Sequence, residues 1–129
     1  MATVLFVSEF DTGDSPMAAA LLERAAAGRH TALSAGTGPG DRVDPRVVDV
    51  MRAVGIELSD RRPRLVTDDL VEQANVVVTI GDVEECPYVP GRLYIDWDLD
   101  EPTSCSIPEL RETMRRLDRA RSSWRRGSQ

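Results

Sequence analysis

Apolar positions along the chain gather into four short runs separated by stretches with helical spacing. Residues 3–7 (TVLFV), 31–37 (TALSAGT), 75–80 (NVVVTI) and 92–96 (RLYID) are rich in β-formers and predict strands. The first and third are almost uninterrupted in their apolar character, as strands covered on both faces are. Ser15-Pro16 reads as an N-cap followed by a first-turn proline. MAAALLERAAA propagates that helix and Gly28 stops it. Asp44-Pro45 opens a second helix, RVVDVMRAVG, with one apolar face and Gly55 as its stop. A short helix within residues 61–74 is capped by Thr67. SIPELRETMRRLDRARSSW predicts the last helix, with capping-box spacing at Ser106 and Glu109. Ile107, Leu110, Met114, Leu117 and Trp124 fall near one of its faces. Strands alternating with helices imply right-handed crossovers. The expected architecture is an α/β three-layer sandwich with a four-stranded parallel sheet.

Length changes the picture little: 129 residues suit one domain and one core. We expect a single domain over 1–124 and a flexible tail over 125–129. Without a basic segment ahead of the first strand, no signal peptide is expected, and no apolar run has the length of a membrane span. A cytoplasmic location is the default expectation. Cys86 and Cys105 are the only cysteines, too few for a disulfide framework and lacking metal-type spacing. No cofactor or metal site is assigned. Net charge is −6, unevenly spread. Residues 111–126 hold seven Arg against Glu112 and Asp118, a net +5, so the remainder carries −11. An acidic body argues against nucleic-acid binding. The Arg-rich last helix reads as a solvated face, with an acidic partner or another copy's acidic pocket as the alternative.

Candidate chemistry lies at the carboxyl ends of the strands, where loops 8–15, 81–91 and 97–105 emerge. The first belongs to a strand–loop–helix unit, VLFVSEFDTGDSPMAAALL, of a kind that cradles anions at a helix N-terminus. This loop instead carries Glu9, Asp11 and Asp14, and no basic residue.

VLFV before the loop, SPMAAALL after it, SAGTGPGDRVDPRVVDVMRAVGIELS, RPRLVTDDLVEQANVVVTIG, ECPYVPG and DWDLDEP together resemble the low-molecular-weight tyrosine phosphatase superfamily. The chain is most similar to its thiol-dependent arsenate reductases, over about residues 3–120. The resemblance implies the family's fold and a catalytic loop of Cys, five residues, Arg, then Ser or Thr. Those places are held here by Ser8, Asp14 and Ser15. Asp11 stands where many members have Asn. Glu101, before Pro102, occupies the place of the general acid. Of the arsenate reductases' further cysteine pair, Asp82 takes the first place and Cys86 the second.

Family chemistry needs a thiolate, whose pKa a helix N-terminus and loop amides lower, and an Arg fork for the oxyanion. Ser8 is a far weaker nucleophile unless a base activates it, and the lone His30 lies at the start of the second strand. Asp14 decides the matter. At roughly 6 Å and an effective dielectric near 20, each unit charge pair is worth about 3 kcal/mol. Exchanging Arg for Asp beside a dianion therefore costs about 10 kcal/mol before screening and protonation. Glu9 and Asp11 are allowed to point outward and are not counted fully.

Two readings stay open at this point. In one, Asp14 caps the helix or neighbouring amides and the pocket is vestigial. In the other the pocket's sign is inverted, and Ser8, Glu9, Asp11, Gly13, Asp14, Ser15, Asp82 and Glu101 form a site for a cationic small molecule, a basic peptide or a partner protein, or for a divalent cation through oxygen ligands. A catalytically degenerate binding protein is thus the leading expectation, as monomer or homodimer. Enzymes with chemistry rebuilt on Asp11, Asp14 and Glu101, or a residual phosphatase or arsenate reductase, are the alternatives. Cys86 is expected to pack rather than to relay thiols, and Tyr88, Tyr94 and Trp97 to pack between sheet and loop rather than to wall the site.

Overall fold

The computed structural model describes residues 2–81, 83 and 86–97. In chain order the elements are β1 (Ala2–Ser8), α1 (Asp14–Ala26), β2 (His30–Gly36), α2 (Pro45–Ala53), α3 (Asp68–Gln73), β3 (Val76–Ile80) and β4 (Leu93–Trp97). The four strands are parallel, in the order β2-β1-β3-β4. The last predicted helix, its cap at Ser106, Cys105 and the tail lie outside the described residues. Among the described residues no helix is long and apolar enough to cross a membrane.

Alternation of side chains across the sheet explains why β1 and β3 are apolar throughout. Val4, Phe6, Val76, Val78 and Ile80 face Ala18, Ala19 and Leu22 of α1. Leu5, Val7 and Val77 face the other way, onto Val66 and onto Val71 of α3. Leu5, Val7 and Val77 are fully buried, each contributing about 1.5–3 kcal/mol. A third cluster joins Met17 and Ala20 of α1 to Val47 and Met51 of α2, with Val43 and Leu58.

Two of the predicted caps form as read. The Asp44 side chain accepts from the Arg46 amide, with Pro45 at the first helical position. The Thr67 hydroxyl accepts from the Leu70 amide. The start of α1 is different. The helix begins at Asp14, its N-cap is Gly13, and no side chain caps it. Ser15 is therefore not the N-cap, because its hydroxyl is engaged within the preceding loop. The stop comes at Ala27, which is left-handed, one residue before Gly28.

Connectivity places the loop after β1 at the sheet's switch point. From β1 the chain passes through α1 to β2 on one side, then returns through α2 and α3 to β3 on the other. Loop 8–15 thus leaves the carboxyl end of a strand flanked on both sides, the crevice where open α/β sheets bind ligands. Gly36 closes the crevice's floor. A Cβ there would lie 2.8 Å from the Glu9 carbonyl oxygen, 3.0 Å from the Asp11 amide nitrogen and 3.0 Å from the Phe10 carbonyl carbon. All three are backbone atoms that no rotamer change can move aside. Gly36→Ala is accordingly expected to destabilise the fold by about 1–3 kcal/mol in urea denaturation. A loss too small to measure would show that loop and strand are not in this close contact.

Candidate functional site

Backbone hydrogen bonds set the loop before any side chain acts. The carbonyls of Ser8, Glu9, Phe10 and Thr12 accept from the amides of Thr37 (3.1 Å), Gly38 (2.7 Å), Gly40 (2.9 Å) and Asp44 (2.8 Å). Alongside runs the extended segment around Arg64: the Gly36 amide donates to the Arg64 carbonyl at 2.8 Å, and the Val66 amide to the Gly36 carbonyl at 2.9 Å. Three stretches distant in sequence are thereby held side by side.

Asp11 ties them together. It is 1% exposed and left-handed, with φ 54°, a conformation a short polar side chain tolerates better than most. Its Oδ1 accepts from the Ser15 hydroxyl at 2.7 Å, and its Oδ2 from the Arg64 amide at 3.1 Å. Burial pushes its pKa up; hydrogen bonds from Ser15, the Arg64 amide and Ser34, and the Arg64 charge, oppose the rise. Asp11 does not point outward, contrary to the allowance made for it. Glu9 does: its side chain is exposed. The buried amides and hydroxyls at position 11 offer a carboxylate several donors, which solvent would otherwise supply.

Ser8 and Ser15 complete a chain of hydroxyls. Their Oγ atoms are 2.7 Å apart. Because Ser15 donates to Asp11, its oxygen is left to accept from Ser8. The Ser8 oxygen in turn accepts from the Asp11 amide at 3.1 Å. Ser8 is thus held by both its donor and its acceptor side. His30 is remote from it: it pairs with Ala2 at the opposite end of β1.

Asp14 is the exception in this network. It sits in the first turn of α1, 7% exposed, and its Oδ1 is buried with no hydrogen-bond partner among the described residues. It does not cap the helix, so the capping reading fails on geometry. Burial holds its carboxyl up at about 6, from an ordinary 3.8. At pH 7 about nine-tenths of it is ionised. The helix N-terminus and its first unpaired amides favour that charge, yet desolvation dominates. Buried polar groups are nearly always satisfied, and an unsatisfied one calls for a reason.

The remaining candidates divide plainly. Gly13 is the N-cap of α1. Asp82 and Glu101 lie outside the described residues; of the acidic candidates described, Asp11 is held by hydrogen bonds to both oxygens, while Oδ1 of Asp14 has no partner among the described residues. Among the described residues no group of three or more His, Cys, Asp or Glu is placed to hold a metal ion. Cys86 packs half-buried against the Leu5–Val77 cluster, and burial pushes its thiol up. Tyr94 donates to the Pro87 carbonyl and accepts from the Val89 amide, with its ring 5.1 Å from that of Tyr88. Tyr94 packs as expected, whereas Tyr88 is 74% exposed. One feature escaped the sequence reading: a cleft of about 170 Å³ beside Asp11, lined by Arg61, Arg62 and Arg64. The RRPR run was its signal.

Relatives of known description share this frame. A Halobacterium salinarum protein provisionally named an arsenate reductase is 36% identical over 118 residues, covering 83% of this chain and 79% of its own. The structure of a Corynebacterium glutamicum thioredoxin-dependent arsenate reductase superposes with a TM-score of 0.79 at 32% identity. That match covers 93% of this chain, but this chain spans only 60% of that one. An arginine phosphatase, solved as a cysteine-to-serine variant with a phosphorylated active-site serine, matches with a TM-score of 0.56 at 28% identity, over 60% of this chain and 53% of its own. The family model described as low molecular weight phosphotyrosine protein phosphatase matches residues 3–127. With that match and a parallel sheet whose first strand runs into loop 8–15, the chain belongs to the low molecular weight phosphotyrosine protein phosphatase family.

Proposed function

We propose that this chain is a catalytically degenerate member of its family that binds a cationic group, a guanidinium or an amine of a small molecule, basic peptide or partner protein, in loop 8–15. One observation carries the reading: Oδ1 of Asp14 is buried without a partner among the described residues, at the place where the resemblance puts an anion-holding Arg. A guanidinium can donate to a carboxylate in bidentate fashion, satisfying the orphan oxygen and neutralising its charge in a desolvated site. That a family structure is described as an arginine phosphatase supports a guanidinium as a group this fold can meet.

A second reading keeps catalysis, with Ser8 as a nucleophile whose proton passes through Ser15 toward Asp11. The hydrogen-bonded chain Ser8–Ser15–Asp11 favours it, as does the phosphorylated serine of the arginine phosphatase variant. Against it stands Asp14, which repels the oxyanion such a step needs.

Asp14→Asn separates cost from use. A carboxyl raised by burial binds its proton more readily folded than unfolded. Its contribution is therefore favourable at low pH, falls as pH rises from about 3.8 to about 6, and is fully lost above. The variant is expected to be more stable at pH 7 by about 1–3 kcal/mol in urea denaturation, while losing methylguanidinium binding at least tenfold by NMR titration. Equal or lower stability, or unchanged binding, would count against Asp14 as the contact.

Binding should also follow the ionisation of Asp14. Because only the carboxylate accepts the cation, apparent affinity for methylguanidinium is expected to improve about tenfold between pH 5 and pH 8, with its midpoint near 6. A flat profile would place the cation elsewhere.

Catalysis can be measured directly. Purified protein is expected to turn over neither an aryl phosphate nor arsenate with a thiol reductant, and to show no phosphoryl adduct on Ser8 by mass spectrometry. Restoring Ser8→Cys with Asp14→Arg should bring back phosphate binding in the loop. An adduct on Ser8 of the unaltered protein would favour the serine reading.

A further inference from the structure

We propose that the cleft between β2 and the segment 61–64, which Asp11 of loop 8–15 borders on one side, is an anion site of its own, fitted to a phosphate group and distinct from the space between Ser8 and Ser15. The cleft has a volume of about 170 Å³, the room of roughly five or six waters at liquid density. A tetrahedral oxyanion fits with part of its hydration.

Charge at the cleft is the reverse of that in the loop. Arg61, Arg62 and Arg64 line it, against a single carboxylate, Asp11. Both oxygens of Asp11 already accept hydrogen bonds, from Ser15 and from the Arg64 amide. The guanidinium groups are differently placed. Arg64 donates through Nε to the Ser34 carbonyl at 3.1 Å, which fixes its stem and leaves its two terminal nitrogens. Arg62 has no partner among the described residues. Arg61 pairs with Glu23 at 3.0 Å, but both side chains are 46% exposed, so that pair holds it weakly.

The frame behind these arginines is rigid. Pro63 keeps the segment extended, and the Arg64 backbone is pinned through its amide to Asp11 and its carbonyl to the Gly36 amide. Forks of Arg62 and Arg64 can therefore meet two edges of one phosphate without first ordering the chain, and bidentate contacts of this kind are the strong ones. Pro16 and Val43 supply an apolar wall, against which the organic part of a phosphomonoester can rest.

The test is an NMR titration of the full chain, following the arginine Nε–H and backbone amide signals at low ionic strength. Inorganic phosphate and phenyl phosphate are added in separate arms, with chloride as the ionic-strength control. Saturable shifts at Arg62, Arg64 and Ser34 are expected. Inorganic phosphate binding as well as the monoester would identify the free ion as sufficient, and tighter phenyl phosphate would show the apolar wall in use. Arg62→Gln, a change at an exposed side chain that leaves the backbone frame intact, should weaken binding about tenfold; Asp14→Asn should leave it unchanged. No saturable shift beyond chloride, or unaltered binding in Arg62→Gln, overturns the cleft alone. Shifts centred on Ser8 and Gly13 instead would overturn both this site and the cation reading of the loop.

Discussion

The carboxylate of Asp11 holds the site together. One oxygen takes the Ser15 hydroxyl at the start of α1, the other the Arg64 amide, with Ser34 of β2 adding a further bond. Three segments far apart in sequence meet on one buried group. Burying a charge is tolerable only when hydrogen bonds replace the lost water, and here they do. The left-handed turn at the same residue bends the loop back over Gly36. Remove this group and the loop keeps its backbone ladder to residues 37–44 and the Ser8–Ser15 contact but loses its tie to Arg64.

Asp14 shows the other outcome of the same burial. Three residues on, in the same loop and almost as enclosed, it has one oxygen without any donor among the described residues. The two carboxylates differ in what surrounds them, not in chemistry. Asp11 is integral to the frame; burial holds the carboxyl of Asp14 up at about 6. Because the backbone and Asp11 supply the frame, positions 8 and 14 can change without dismantling it. At position 14 this family scaffold holds a buried carboxylate.

Much of the fold was legible because it rests on local or periodic signals. The unbroken apolar runs of β1 and β3 follow from cover on both faces, and the caps Asp44 and Thr67 follow from short-range bonding. Ser15 misled for a physical reason: Ser before Pro has the form of a cap, but its hydroxyl is claimed by Asp11, four residues back. The inward turn of Asp11 depends on an amide 53 positions away, which no local pattern reports. That Oδ1 of Asp14 has no partner among the described residues is likewise a matter of packing. The arginine cleft was written in the RRPR run, yet only the pairing of Gly36 with Leu65 beside β2 turns that run into a wall.

The account turns on the sign of charge in loop 8–15. A crystal of the unaltered protein, soaked in phosphate at neutral pH and examined for density between Ser8 and Ser15, tests it most directly. The account predicts no anion in the loop, with Asp14 still buried beside it. A phosphate seated there, held by the loop amides, would contradict it.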